Sequence, residues 1–210
     1  MSEGSVERDF KASLVLSYDN DAEARDARTL PDERNRLREQ FVELLAAEGR
    51  TRLIEFGAGA GQDAVELMAA GLTVVAMDLS PENVEKCRAR GIDAHVGDFY
   101  SLDLPDGGFE AGWAMSTLLH VPDVDIDRVL SELIRVLQPG APLAIGLWGG
   151  VDMEGTMDDD WADPPRFFSM RSDAHLLEIL ERHGTVESFE TVIHREDGSE
   201  HYQWCVIRPE

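Results

Sequence analysis

The sequence has no framework of paired cysteines: Cys87 and Cys205 stand alone and far apart among 210 residues. That excludes a disulfide scaffold and leaves no CxxC spacing for a metal or redox centre. Both fall in patterned segments, Cys87 helical and Cys205 strand-like, where a thiol serves as a small apolar side chain. Basic residues are scarce as well, with 19 Lys and Arg against 42 Asp and Glu and a formal net charge of -23. A surface this acidic repels phosphate backbones and anionic membrane faces, so neither nucleic acid nor membrane is an expected partner. It suits solubility, a salt-rich medium, or the attraction of a cationic or amine substrate. No apolar run approaches the length of a membrane span. Met1-Ser2-Glu3-Gly4-Ser5 has neither the basic n-region nor the apolar core of a secretory leader, and the cytoplasm is the expected compartment. The remaining balance, with 43% hydrophobic residues, allows one globular domain and a sizeable core.

From Arg52 onward, strand and helix patterns alternate. Arg52-Leu53-Ile54-Glu55-Phe56 is a short apolar run ending in glycines, a strand that feeds a tight turn. Asp63 to Ala70 has helical periodicity and stops at Gly71. Leu72 to Met77 is a second strand ending in Asp78. Ser80-Pro81-Glu82 then opens a helix that runs to Gly91: Ser80 caps it, Pro81 fits its first turn, and Glu82 meets the positive end of its dipole. Ile92 to Val96 is a third strand, Phe109 to Leu119 a fourth, Val124 to Leu137 a helix, and Pro142 to Trp148 a fifth strand. Residues 149–171, rich in Gly, Asp and Pro yet studded with aromatics, are expected to form an ordered insertion or lid. The run Asp158-Asp159-Asp160 within them is read as a solvated loop. Ala174 to His183 is a last helix, and Thr185 to His194 pairs with His201 to Ile207 across Glu196-Asp197-Gly198-Ser199 as a hairpin. Upstream, Arg36 to Ala47 is an amphipathic helix, and the first thirty or so residues are a looser segment; together residues 1–50 form an N-terminal cap.

The expected fold is therefore α/β, one domain over residues 1–210, with a mostly parallel sheet, helices on both faces and a C-terminal antiparallel hairpin. Ligands of such sheets sit at the carboxyl ends of the strands. That gathers the Gly57 loop, Asp78, Asp98-Phe99 and Ser116 to His120 around one crevice.

Glu55-Phe56-Gly57-Ala58-Gly59-Ala60-Gly61 brings backbone close to a ligand. A dinucleotide turn wants G-x-G-x-x-G facing a pyrophosphate. Here the spacing is G-x-G-x-G, Gln62 stands at the third-glycine position, and Asp63 opens the helix. A carboxylate there repels a pyrophosphate and suits an ammonium group, and Glu55 has the same sign preference. Asp78 can accept both hydroxyls of a ribose. Asp98 can accept an adenine amino proton while Phe99 packs on the purine.

Taken together, the glycine loop, Asp78, Gly97-Asp98-Phe99 and Leu133-Ile134-Arg135-Val136-Leu137-Gln138-Pro139-Gly140 resemble successive motifs of the class I S-adenosylmethionine-dependent methyltransferases, small-molecule type. The resemblance runs from Arg52 to the C-terminus and implies a Rossmann-like, seven-stranded sheet. It implies S-adenosyl-L-methionine as cofactor, S-adenosyl-L-homocysteine as product, and a small-molecule methyl acceptor. Glu55, Gly57, Ala58, Gly59, Gly61 and Asp63 would lie along the methionine part. Asp78, with Leu79 beside it, would take the ribose, Asp98 the adenine amine and Phe99 its ring face; Met115 and Ser116 would line the path to the sulfonium. Tyr18-Asp19 resembles the element from which Tyr18 closes over the cofactor, and Arg28 could contact the cofactor's carboxylate.

Methyl transfer from a sulfonium is an in-line displacement, so alignment in a dry site supplies most of the catalysis. A base is needed for a hydroxyl or a protonated amine, and His120 in Ser116-Thr117-Leu118-Leu119-His120 is the candidate. Trp148, Trp161, Phe167 and Phe168 could build an aromatic wall over the acceptor, with Arg171 reaching a carboxylate or phenolate on it. No metal is expected: Asp123, Asp125 and Asp127 follow the fourth strand, but Trp148-Gly149-Gly150-Val151 after the fifth offers no ligand. The expected reaction is O- or N-methylation of a small molecule by a monomer or homodimer. The rival readings are an NAD-dependent oxidoreductase and a non-catalytic S-adenosylmethionine-binding protein.

Overall fold

The computed structural model describes residues 3–158, 160–194 and 200–210. Its main sheet takes β1 (Arg52–Phe56), β2 (Thr73–Asp78), β3 (Asp93–Val96), β4 (Ala111–Met115), β5 (Leu143–Gly149), β8 (Thr185–His194) and β9 (His201–Arg208). Their order is β3-β2-β1-β4-β5-β9-β8. The first five strands are mutually parallel, β9 is antiparallel to β5, and β8 is antiparallel to β9. The chain winds outward from β1 to β3, then returns to place β4 on the other side of β1. That reversal opens a crevice at the carboxyl ends of β1 and β4.

Helices α3 (Gln62–Ala69), α4 (Pro81–Ala89), α5 (Ile126–Arg135) and α6 (Asp173–Glu181) connect these strands, after α1 (Glu3–Asp26) and α2 (Asp32–Ala47). Because helices cover both faces, the parallel strands are near-continuous apolar runs, and β4 is buried at every residue. Strand alternation sorts the core. Ile54 and Phe56 face the side packed by Ile126, Leu130, Leu133 and Leu180, whereas Leu53 faces Leu37, Phe41, Leu67 and Val84. Glu55 shares the face of Leu53 and is carried toward α2 and α3.

Several boundaries differ from the sequence reading. The N-terminal segment is a 24-residue helix, not a looser stretch. Its inward stripe is Leu14, Ser17, Asp21 and Ala22, two of them polar, so hydrophobic periodicity did not reveal it. The next helix starts at Asp32, behind an extended Pro31. The fourth strand stops at Met115, where Ser116 takes φ 54 and the chain turns into a short 3-10 helix, Leu118–His120. Val124 lies in a second 3-10 turn, Asp123–Asp125, ahead of α5. Within 149–171 the chain forms an antiparallel ribbon, β6 (Met153–Thr156) with β7 (Phe167–Met170). The turn at 196–199 and Asp159 lie outside the described residues.

Candidate active site

A cavity of about 470 Å³ opens at the carboxyl ends of β1, β2 and β4, roofed by α1. Its floor is the glycine loop. Gly57 and Ala58 donate their backbone N–H groups to Met77 O at 2.7 and 3.1 Å. Gly57, Gly59 and Gly61 all have positive φ, and a Cβ on Gly57 would stand 2.4 Å from Thr117 Oγ1. Glycine is therefore required for both the turn and the approach of the next element. Asp78 braces this loop from below: Oδ2 accepts from Gly59 N (2.7 Å), and Oδ1 accepts from Ser80 N (2.9 Å) and Asn83 Nδ2 (3.2 Å). Burial raises its carboxyl pKa, against those three donors. Leu79 lines the wall beside it.

The structure corrects the reading of Asp63 and Glu55. Asp63 lines the cavity, but its carboxylate is held by Arg34 (2.9 and 2.5 Å), Arg38 (2.7 Å) and Trp113 Nε1 (3.0 Å). With two guanidinium groups on one carboxylate, Asp63 has no charge left to offer an ammonium. Burial opposes its ionisation, yet Arg34 and the other donors hold its pKa below the usual carboxylate range. Glu55 does not line the cavity. It is buried behind the loop, its Oε2 has no hydrogen-bond partner, and burial with the nearby Asp63 charge raises its pKa well above the ordinary value.

Asp98 and Phe99 do reach the cavity. Asp98 accepts from Lys11 Nζ (2.8 Å) and Tyr100 N (3.0 Å), and Phe99 meets Phe56 edge-on at 6.0 Å. Met115 and Ser116 end β4 in the wall, where Ser116 Oγ, Tyr202 Oη and an Arg34 guanidinium N–H lie within 3.1–3.5 Å of one another.

A second chamber of about 360 Å³ adjoins the first and shares Tyr18, Arg25, Arg28, Ser116, His120 and Trp148 with it. At the junction, Tyr18 Oη lies 2.5 Å from His120 Nε2, and His120 Nδ1 lies 2.6 Å from Phe167 O. A carbonyl can only accept, so Nδ1 carries the proton and Nε2 accepts from the Tyr18 hydroxyl. Burial lowers the His120 pKa to about 3, with Arg166 and Arg25 adding to the effect, and burial raises that of Tyr18. His120 thus faces Tyr18, not open space.

Trp148, Trp161 and Phe168 line the second chamber; Trp161 is 56% exposed. Arg28 lies over the Trp161 ring at 4.6 Å, Arg25 over Tyr18 at 4.5 Å, and Arg166 over Phe168 at 5.1 Å. Two expectations fail here. The Phe167 ring packs on Phe10 instead of lining either chamber. Arg171 is 1% exposed and donates to Asp123 (3.0 Å), Ser169 O (3.1 Å) and Val121 O (2.9 Å). It ties β7 to the segment after β4 and cannot reach a ligand. Asp160, assigned to a solvated loop, is instead clamped by Arg166.

The sequence reading missed Arg34, Lys11, Arg25, Arg166 and Tyr202. A signal existed for Arg34 and Arg38: they sit four apart on α2, flanking the buried Leu37, where a buried acid needs cations. The others depend on α1 being a helix or on contacts across more than eighty residues. Among the described residues no group of His, Cys, Asp and Glu is arranged to hold a metal ion, and no helix is long and apolar enough to cross a membrane.

Residues 54–145 match the family model of a methyltransferase domain. The chain is 31% identical over 157 residues to methyltransferase GfsG of Streptomyces halstedii, covering 70% of this chain and 55% of that protein. It is 31% identical over 127 residues to 27-O-demethylrifamycin SV methyltransferase of Amycolatopsis mediterranei, covering 56% and 46%. It thus spans about half the length of these relatives. In fold it is similar to 1,6-didemethyltoxoflavin-N1-methyltransferase of Burkholderia thailandensis, solved with 1,6-didemethyltoxoflavin and S-adenosylhomocysteine. That likeness has a TM-score of 0.74 at 18% identity, over 100% of this chain and 91% of the other. The matched domain, the motifs within it and the strand order define one class. Residues 54–145 are a methyltransferase domain, and in sequence and strand order the chain is similar to the class I S-adenosylmethionine-dependent methyltransferases.

Proposed function

We propose that the protein transfers a methyl group from S-adenosyl-L-methionine to an O or N atom of a small molecule held in the second chamber. The observation that carries this reading is the pair of adjoining chambers meeting at Tyr18, Ser116 and His120. One is a glycine-floored cradle with an acid at each of two strand ends; the other is walled by aromatic rings. A two-substrate transfer needs such an arrangement, because its rate depends on holding donor and nucleophile in line in a site closed to water.

The residues present fit the donor. Gly57, Ala58, Gly59 and Gly61 leave room for its methionine part, and Arg28 stands at the cavity edge for its carboxylate. Asp78 and Leu79 suit a ribose, while Asp98 and Phe99 suit an adenine amine and ring. Asp98 would exchange Lys11 for that amine. When bound, the sulfonium supplies the electrophilic methyl group; Met115 and Ser116 border its approach. Trp148, Trp161 and Phe168 form the acceptor's wall.

Gln62 speaks against the oxidoreductase reading. Its side chain donates to Arg28 O (2.7 Å) and Asp26 O (3.2 Å), filling the place where a dinucleotide turn needs a bare glycine. Thermal-shift measurements with S-adenosylhomocysteine, NAD and NADP test the reading, since a ligand stabilises in proportion to its binding. Stabilisation by S-adenosylhomocysteine is expected; stabilisation by NAD or NADP alone would overturn it.

A further inference from the structure

His120 touches both chambers, yet its geometry does not make it a direct base. Its Nδ1–H is committed to Phe167 O, its Nε2 to the Tyr18 hydroxyl, and its ring is wedged against Phe168 at 5.0 Å. A substrate proton can reach Nε2 only through the Tyr18 oxygen, which belongs to a residue lining both chambers and can accept as well as donate. Tyr18 is itself fixed by the cations around it. Arg25 lies over its ring at 4.5 Å, Arg166 at 5.8 Å, and Arg166 is clamped by Asp160.

Building on the methyltransferase reading, we propose that Tyr18 takes the acceptor's proton, that His120 receives it by relay, and that the acceptor is a hydroxyl compound methylated on oxygen. In the balanced step, the acceptor oxygen forms its bond to the methyl carbon while the sulfur–methyl bond breaks and its electron pair stays on sulfur. The acceptor's hydroxyl proton passes to Tyr18 Oη, and the Tyr18 proton passes to His120 Nε2. One positive charge leaves the sulfonium and one appears on the imidazole, so the charge of the site is unchanged until the proton is lost to solvent.

The geometry agrees with oxygen as the nucleophile: a hydroxyl must lose its proton as it is methylated, and the Tyr18–His120 pair ends in an accepting Nε2 that can take it up. Burial, Arg166 and Arg25 make His120 a weak base, with a pKa of about 3. Such a group can take a proton from the strongly acidic oxonium that develops as a hydroxyl is methylated. A neutral amine is methylated without having to give up a proton in the same step. An amine acceptor would therefore gain nothing from this relay.

The test begins with the protein alone. Nitrogen-15 NMR of the imidazole should show His120 as the neutral Nδ1–H tautomer, uncharged at pH 5, with its Nε2 resonance displaced by Tyr18→Phe. An Nε2–H tautomer, or titration near the ordinary histidine value, would overturn the relay whether or not any acceptor turns over. Turnover is then followed as S-adenosylhomocysteine release with matched hydroxyl and amino acceptors, such as benzyl alcohol with benzylamine and phenol with aniline. Preference for the amino member would overturn the assignment to oxygen. With a hydroxyl acceptor, Tyr18→Phe and His120→Asn should each lower kcat about 100-fold. The double variant should be little worse than either single one, because the two act as a unit; additive losses would also overturn the relay. Calorimetry with S-adenosylhomocysteine runs alongside: if the wild-type protein does not bind it, the methyltransferase reading itself fails.

Discussion

The two chambers share a boundary but are assembled in opposite ways. The glycine-floored cradle is made of residues at the ends of successive strands, Gly57 to Ala60, Asp78, Asp98 and Met115, placed by the sheet itself. Its polar groups bond mainly to backbone close at hand, as Asp78 does to Gly59 and Ser80. The second chamber is made of groups meeting from distant parts of the chain: Tyr18 with His120 across 102 residues, His120 with Phe167 O, and Arg166 with the Tyr18 ring. The cradle is thus a property of the fold, whereas the chamber is a property of how α1 and the β6–β7 ribbon close over it. Helix α1 is held there by polar ties: Lys11 to Asp98, Asp19 to the Ser80 hydroxyl, Asn20 to Asp163 O, and Asp26 to Arg90.

If this contrast is right, damage to the cradle should reach stability and cofactor binding, while damage to the chamber should reach the acceptor alone. The largest effect is expected from Asp63→Ala, which leaves Arg34 and Arg38 without their shared carboxylate. Loss of one member of a buried ionic network costs about 3–5 kcal/mol, to be read from urea unfolding. The pH dependence has a definite sign. Because the folded state lowers the pKa of Asp63, its stabilisation is present above the unfolded carboxylate range and is lost as pH falls.

Next in size, Asp78→Ala removes the acceptor for Gly59 N, Ser80 N and Asn83 Nδ2. Buried donors without partners cost about 1–3 kcal/mol each, so affinity for S-adenosylhomocysteine should fall at least ~100-fold by calorimetry. Unchanged affinity would show that the brace under the loop is dispensable.

A smaller, pH-dependent effect is expected at Glu55, whose pKa is raised in the folded state. Between the unfolded and folded pKa values the unfolded chain ionises first, so this residue lowers stability as pH rises. Glu55→Gln should therefore be more stable than wild type at neutral pH, with its affinity for the cofactor little changed because Glu55 does not line the cavity. Melting temperatures across pH 4–8, with and without S-adenosylmethionine, measure both. A smaller effect still is expected from Trp161→Ala. This side chain is 56% exposed, so stability should move by no more than about 0.5 kcal/mol. S-adenosylhomocysteine affinity should hold while the KM for the acceptor rises; a parallel loss of cofactor affinity would erase the contrast between the chambers.

Legibility in the sequence follows the same divide. β1, the glycine turn and the Ser80 cap announce themselves because their chemistry is local: an apolar run, three glycines with positive φ, and a hydroxyl accepting from Asn83 N. Asp63 was placed correctly but its role was misread, since its partners Arg34 and Arg38 come from another helix. Arg171 was misread for the same reason: a long cation beside aromatics in sequence became a buried strut in space. Helix α1 was missed because its inward face carries Ser17 and Asp21, a stripe that reads as solvent-facing until its partners are known.

The amino-acid sequence by itself determined the alternation of strands and helices, the closing hairpin, the glycine cradle and the acids at the strand ends. Each of these rests on backbone conformation and on periodicity within a few residues. Only the tertiary structure decided which charges are neutralised, which tautomer His120 holds, and which side chains wall the second chamber. Those depend on burial and on partners that can lie more than a hundred residues away. A carboxylate, a guanidinium or an imidazole acquires its chemistry from the groups that surround it.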